Sequence, residues 1–518
     1  MFSIRSVLNV GLMTLASRVL GFVRDVLIAA FLGTGFAADA WFVATRLPNL
    51  FRRLFAEGAF NSAFVPMFSG RLEQGGPAVA RGFAERTLSS MLAFMLLLTV
   101  ASEIFMPLLI LVFAPGFAAD TEKFALTVLL TSLCFPYLLY MFLAALLGGI
   151  LNSLHHFVHA AAAPILLNVV LTLGLVFVAP HVEQPALVLA WGETLAGLLQ
   201  FLWLYIVAAR LGYGLRLRWP SFNAEIRQVV KLMVPGLVSG GLAQISIMIA
   251  TILASLQDQA VSYLSYADRL YQLPLALIGA AIGVVLLPVL SRAIRGGREA
   301  EAMAAFNRSI EFALLLILPS SVGLIIAAEP IVRVLYERGA FTPEAAHNTA
   351  LALMAISLGL PAFVLNKALQ PGFFAREDTV TPFKFSVATI LLDIAICLSL
   401  FWYLSRWQIG FVGIALGTAG AAWVNCALLY ARLRKLGHLK LDQRLKRNLP
   451  RMALANIVMA GALVGGQYLI GDRLSGGEVE RTVALVILVG AAAVIYFAVI
   501  VATGAYTLAD FKRNALRR

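Results

Sequence analysis

Charge is scarce in this 518-residue chain: 13% of its residues are Asp, Glu, Lys or Arg, and 61% are hydrophobic. A water-soluble domain carries about 25% charged residues. With a mean hydropathy of +0.88, the chain cannot cover a core with a water-facing shell, so its solvent is mostly lipid. Cysteine is also rare. Cys134, Cys397 and Cys426 all lie inside apolar runs, which argues against a disulfide framework or a zinc site and for small buried hydrophobes. His155, His156 and His159 cluster without acidic or cysteine partners, so no metal is expected there. No GxxxxGK[ST] run is present, which excludes direct nucleotide hydrolysis. Polar loops stay under roughly 25 residues, too short for a further folded domain. The loops expected outside the cell are short, and a carboxylate pair such as Asp120 and Glu122 is a poor basis for an enzyme acting at the membrane surface.

The chain does hold long apolar runs, about 20 residues being enough to cross the hydrocarbon as a helix. Fourteen spans are expected, near 8–30, 37–67, 88–113, 124–152, 157–179, 185–209, 233–256, 260–291, 309–335, 347–374, 382–403, 408–431, 449–470 and 482–504. Arg5 and an apolar stretch before Thr14-Leu15-Ala16 imitate a signal peptide. Arg18, Arg24 and Asp25 follow at once, so the segment reads as the first span. An open sheet edge cannot face lipid, and the fold class is an all-α polytopic membrane protein.

The net charge of +13 belongs to loops rather than to a nucleic-acid surface. Segment 210–231 holds Arg210, Arg216, Arg218, Arg227 and Lys231 against Glu225. Segment 292–308 holds Arg292, Arg295, Arg298 and Arg308 against two glutamates, and 432–451 holds eight Lys/Arg against Asp442. The tail adds Lys512, Arg513, Arg517 and Arg518. All follow even-numbered spans, whereas 31–36, 180–186 and 257–260 carry at most one acid each. Positive loops stay in the cytoplasm, so both termini are expected there.

Two stretches echo each other. Arg46-Leu47-Pro48 and Phe64-Val65-Pro66 match Arg269-Leu270 and Leu286-Leu287-Pro288; Phe135-Pro136 matches Leu360-Pro361; Leu166-Leu167-Asn168 matches Leu391-Leu392-Asp393. Offsets near 223 span six helices, so both copies face the same way. This predicts two six-helix lobes around a central cavity, 1–215 and 216–440, with two further helices and a basic tail in 441–518.

Several spans contain charges that lipid disfavours. The first holds Arg18, Arg24 and Asp25; the second Asp39, Arg46, Arg52, Arg53 and Glu57; the eighth Asp268 and Arg269 beside Tyr263, Tyr266 and Gln272. Each costs about 2.5–3.5 kcal/mol near mid-bilayer. Some can pair within a helix: Arg18 with Asp25 two turns on, Arg53 with Glu57 one turn on. Five arginines against three acids in the first two spans leave an excess that either faces an anion or pairs elsewhere. Guanidinium forks suit phosphate oxygens and stay charged when desolvated, so a diphosphate fits and a cationic drug does not. Pro48 is expected to break the second helix beside these charges. Asp393 stands alone in the eleventh span, either binding a coupling cation or hydrogen-bonded to a neighbour.

The run Ser17-Arg18-Val19-Leu20-Gly21-Phe22-Val23-Arg24-Asp25 resembles the opening signature of the MurJ (MviN) lipid II flippases. So do Thr45-Arg46-Leu47-Pro48-Asn49-Leu50-Phe51-Arg52-Arg53 with Phe55-Ala56-Glu57-Gly58-Ala59-Phe60, Tyr266-Ala267-Asp268-Arg269-Leu270, and Pro371-Gly372-Phe373-Phe374-Ala375-Arg376 through Thr381-Pro382. The likeness covers essentially the whole chain. It implies a 14-helix member of the multidrug/oligosaccharidyl-lipid/polysaccharide exporter superfamily in the bacterial inner membrane. The implied cargo is undecaprenyl-pyrophosphate carrying a disaccharide-pentapeptide, moved to the periplasmic leaflet by alternating access. It further implies a substrate site at Arg18, Arg24, Asp39, Arg52 and Arg269, with Arg46, Asn49, Arg53, Glu57 and Asp268 as secondary candidates. The last two helices would form a groove for the lipid tail. Gln272 departs from the family, where a glutamate is expected. No cofactor is expected; a coupling cation or the membrane potential would drive transport. Lipid II and membrane lipids are the expected partners, with cell-wall synthesis proteins as candidates, and the chain is expected to act as a monomer. The rivals are an exporter of another polyprenyl-pyrophosphate-linked sugar, or of a drug, on the same fold.

Overall fold

The structure is a computed structural model that describes residues 4–474 and 476–506, without the side chains of 4–8, 56–58, 238–239, 242–243, 280–281 and 283–285. The basic tail therefore lies outside the described residues. Among them there is no strand, as expected of a chain that must satisfy its backbone groups within lipid.

The helices run in chain order as α1 (Ile4–Leu32), α2 (Phe36–Phe51), α3 (Asn61–Ile104), α4 (Met106–Phe113), α5 (Thr121–Cys134), α6 (Pro136–Ser153), α7 (Phe157–Leu173), α8 (Pro185–Ala208), α9 (Ala224–Ser255) and α10 (Ala260–Arg295). Then follow α11 (Glu299–Ile326), α12 (Ala328–Tyr336), α13 (Pro343–Ser357), α14 (Leu360–Leu369), α15 (Pro371–Phe374), α16 (Val380–Leu404), α17 (Gly410–Lys435), α18 (Gln443–Leu469), α19 (Gly471–Leu474) and α20 (Glu478–Ala502). Each of the fourteen expected spans falls on helix. Among the described residues, ten helical segments are long and apolar enough to cross a membrane. The other four expected spans fall on α1, on α2 with the turn after it, on α9 and on α10.

Breaks occur where the sequence denies the helix its hydrogen bonds or its handedness. Gly76, at φ +73°, divides the 44-residue α3 just before Pro77. Pro48 sits inside α2 without an N–H to donate. It does not end the helix at once. Four residues later the Arg52 N–H donates to the carbonyls of both Pro48 and Asn49, and the chain widens into a π-helix over Arg52–Phe60. That segment carries Arg52, Arg53 and Glu57, and π-turns concentrate at functional places.

The backbone forms two compact units. One comprises Met1–Ser262 with Arg338–Phe341, the other Tyr263–Glu337 with Thr342–Arg518. The repeat places the division at 215/216, whereas in the structure α9 packs with the first unit. A Cβ on Gly236 of α9 would lie 2.9 Å from Ala59 Cα in the π-helix, a contact open only to glycine. Each unit has its own core. In the first, Phe60, Phe68 and Phe83 each stack on Phe64 with centroids 5.1–5.6 Å apart. In the second, α18 and α20 join α11: the Tyr496 hydroxyl donates to the Leu315 carbonyl at 2.8 Å. The buried Glu311 accepts from Arg308 at 2.9 Å, from Arg444 at 3.2 Å and from Asn448 at 2.5 Å.

Candidate functional site

In α1, Arg24 is fixed from two sides. Its Nη2 and Nε donate to one oxygen of Asp25, at 2.7 and 3.1 Å, and its Nη1 donates to Asn168 Oδ1 on α7 at 2.9 Å. Asn168 in turn donates to the Ser17 carbonyl at 2.8 Å. One buried amide thus ties two points of α1 to α7 and holds the guanidinium in a set plane. The expected pairing of Arg18 with Asp25 is corrected: Asp25 is taken by Arg24, because seven residues separate Arg18 from it by about 10 Å along the axis. Arg18 is exposed and has no hydrogen bond or ion pair among the described residues.

The second helix distributes its charges. Arg46 donates to Thr251 Oγ1 on α9. Arg52 Nε donates to Asn49 Oδ1 at 3.0 Å, and Asn49 donates to the Thr45 carbonyl at 2.8 Å, so Asn49 orients Arg52. Arg53 is exposed; the Glu57 side chain, and hence the Arg53–Glu57 pair, lies outside the described residues. Asp39 is wholly buried in a separate cluster. Its carboxylate accepts from Lys123 Nζ at 2.8 Å, from the Gln259 N–H at 3.0 Å, from the Ser262 N–H at 2.9 Å and from the Ser262 hydroxyl. The Lys123 ammonium also lies 4.4 Å from the Phe117 ring centre. Asp39 therefore fastens α2 to α5 and to the turn into α10, rather than standing beside Arg24.

In the second unit Arg269 is exposed on α10, and Gln272 donates to Asp268 one turn away. The amide at 272, where the resemblance implies a glutamate, thus serves as a donor to Asp268. Tyr266 is buried against Tyr336, with ring centres 5.1 Å apart. Asp393 on α16 is buried, accepting from Cys397 Sγ at 3.2 Å; Cys397 Sγ also lies 3.4 Å from the Ile414 carbonyl and 4.0 Å from Thr418 Oγ1 on α17. Asn168 and Asp393 are partners in the internal repeat, and both are buried polar groups on the fifth span of their copy. The sequence reading used Asn168 only as a repeat marker and passed over Lys123 and Thr251. A lone lysine early in an apolar run was the available signal for Lys123.

Ten helical segments long and apolar enough to cross a membrane, with no strand among the described residues, define a polytopic all-α membrane protein. The fold matches those of solved structures of membrane transporters. It resembles "Lipid II flippase MurJ, inward closed conformation" with a TM-score of 0.77 and 24% identity, over 98% of this chain and 99% of that one. It also resembles an inward-facing multidrug resistance MATE transporter, with a TM-score of 0.66 and 15% identity, over 81% and 95%. The family model for lipid II flippase MurJ matches residues 28–504. A probable lipid II flippase MurJ of Rhizobium tropici is 42% identical over 99% of this chain and 97% of its own length. The lipid II flippase MurJ of Burkholderia cenocepacia is 35% identical over 89% of each. The chain belongs to the MurJ lipid II flippase family, a family of transporters and not of enzymes.

Proposed function

We propose that this chain moves lipid II from the cytoplasmic to the periplasmic leaflet of the bacterial inner membrane, holding its diphosphate with Arg18, Arg24, Arg52 and Arg269. The observation that carries the site is the pinning of Arg24 by Asp25 and Asn168. Three of its N–H groups are used, which leaves two of the five on a guanidinium aimed in a fixed plane for phosphate oxygens. Arg18, on the same helix, has no partner to satisfy it among the described residues. The polyprenyl tail stays in lipid, against the last two membrane helices, while the protein opens alternately to the two faces. Asp393 is the candidate for a coupling cation, supported by its burial and by Thr418 beside Cys397; the membrane potential is the other drive. Both termini face the cytoplasm in this reading, and the chain works as a monomer alongside cell-wall synthesis proteins.

The test is flipping in proteoliposomes containing the purified protein. Labelled lipid II should change leaflet, and polyprenyl pyrophosphates bearing other sugars should move more slowly. Movement of another lipid-linked sugar in preference to lipid II would overturn the cargo assignment.

A further inference from the structure

Lys367 is the single charged residue in the stretch 347–374, the tenth expected span. It lies seven residues before Phe374, where this helical segment ends, or about 10 Å along the axis. A lysine relieving its desolvation by snorkelling would reach toward that end. The Lys367 stem is instead held against α10. A Cβ on Gly279 of α10 would lie 2.8 Å from its Cδ and 3.2 Å from its Nζ, so the stem lies in the slot that this glycine leaves. Gly279 is 19 residues from the start of α10 and 16 from its end (279 − 260 and 295 − 279), near the middle of that helix. The ammonium thus lies beside the middle of α10, about 24 Å from its C-terminal end.

No acid meets it there: Lys367 is exposed and has no ion pair or hydrogen bond among the described residues. Lipid contact at this depth is strongly unfavourable for a charge, and an intramembrane ionisable group marks a substrate or ion path by default. Arg269 lies ten residues earlier on α10, about 15 Å along the axis. Lys367 thus meets α10 about three turns away from the nearest arginine assigned to the diphosphate. A lysine is a compact point charge with rotatable donors, suited to a carboxylate on a flexible chain.

Resting on the lipid II reading, we infer that Lys367 binds a carboxylate of the cargo's pentapeptide, at a second anion subsite apart from the one that holds the diphosphate. The full-length protein in nanodiscs is titrated with lipid II, with lipid II whose peptide carboxylates are converted to amides, and with undecaprenyl pyrophosphate. Wild type should bind native lipid II about tenfold more tightly than the amidated form. Lys367→Met should abolish that preference and leave undecaprenyl pyrophosphate binding unchanged, and Lys367→Arg should keep most of the preference. Arg24→Ala should weaken all three ligands alike, which reports the diphosphate reading separately. Equal wild-type affinity for the native and amidated lipids overturns the inference whether or not the variants fold. So does equal loss of all three ligands in a stably folded Lys367→Met.

Discussion

Arg18 and Arg24 sit six residues apart in one helix, yet their surroundings make them different experiments. Removing Arg24 takes a donor from both Asp25 and Asn168 in a partly buried place, so a loss of transport there is mixed with a loss of stability. Arg18 has no described partner to abandon. Arg18→Ala should therefore keep its melting temperature near the wild-type value, because a substitution away from such networks stays within about 0.5 kcal/mol. Its lipid II affinity should fall roughly ten- to a hundred-fold, the worth of a charge-assisted hydrogen bond of about 1.5–3 kcal/mol. Arg18→Lys should recover part of that, keeping the charge without the fork. Normal lipid II binding by Arg18→Ala would remove the residue from the site. Asp393 calls for a different readout. Asp393→Asn can still accept from Cys397, so the fold should persist. If the carboxylate holds a coupling cation, the dependence of flipping on the cation gradient should change while lipid II affinity stays near wild type; an unaltered ion dependence leaves Asp393 a packing residue.

At the scale of elements, the junction of α2, α5 and α10 depends on a buried ion pair. Asp39 and Lys123 are both nearly inaccessible, and the carboxylate has three further hydrogen bonds. Lys123→Met should destabilise the protein by about 3–5 kcal/mol, because it leaves a buried carboxylate without its cation. Adding Asp39→Asn should restore much of the loss, since a neutral amide needs no counter-charge. Thermal unfolding of the single and double variants in one detergent checks this, and additive losses would show that the pair is not coupled. The turn between α15 and α16 responds to pH. The Thr381 N–H, 2.9 Å from Asp378, and then the Thr381 hydroxyl hold the Asp378 carboxyl below its ordinary value of 3.8. A depressed carboxylate contributes its stability above the unfolded value and loses it as pH falls through the folded one. The melting temperatures of wild type and Asp378→Asn should thus differ above about pH 4 and converge only as the pH falls through the lowered Asp378 value. A gap that persists unchanged at low pH would assign the difference to something other than ionisation.

For the whole molecule, the loop charges make a topology that cysteine labelling can read. Single cysteines at Gly35, Val182 and Gly477 should react with an impermeant thiol reagent in intact spheroplasts. Cysteines at Gly296 and Leu441 should react only once the membrane is opened. The reverse pattern would invert the orientation. The native thiols interfere little with this, because Cys134, Cys397 and Cys426 are all buried.

The sequence by itself determined the solvent, the helical class and the family. Each of these is written in quantities that do not depend on folding: the scarcity of charge, the length of apolar runs, and short motifs such as Ser17–Asp25 and Tyr266–Leu270 in order. It also showed which charges lipid would not tolerate alone, since that cost attaches to a residue type at a depth. Only the tertiary structure decided who answers each charge. Asp25 goes to its neighbour Arg24 rather than to Arg18, Asn168 reaches α1 from 144 residues away, and Asp39 is closed off by Lys123, 84 residues on. Lys367 lies against a glycine on another helix. The physical reason is range. Periodicity and hydropathy register neighbours three or four residues apart on one helix, whereas these partners meet only when separate helices pack. The same holds for α9, whose place in the first unit depends on the close approach of Gly236 to the π-helix, a geometry that no local pattern in the chain specifies.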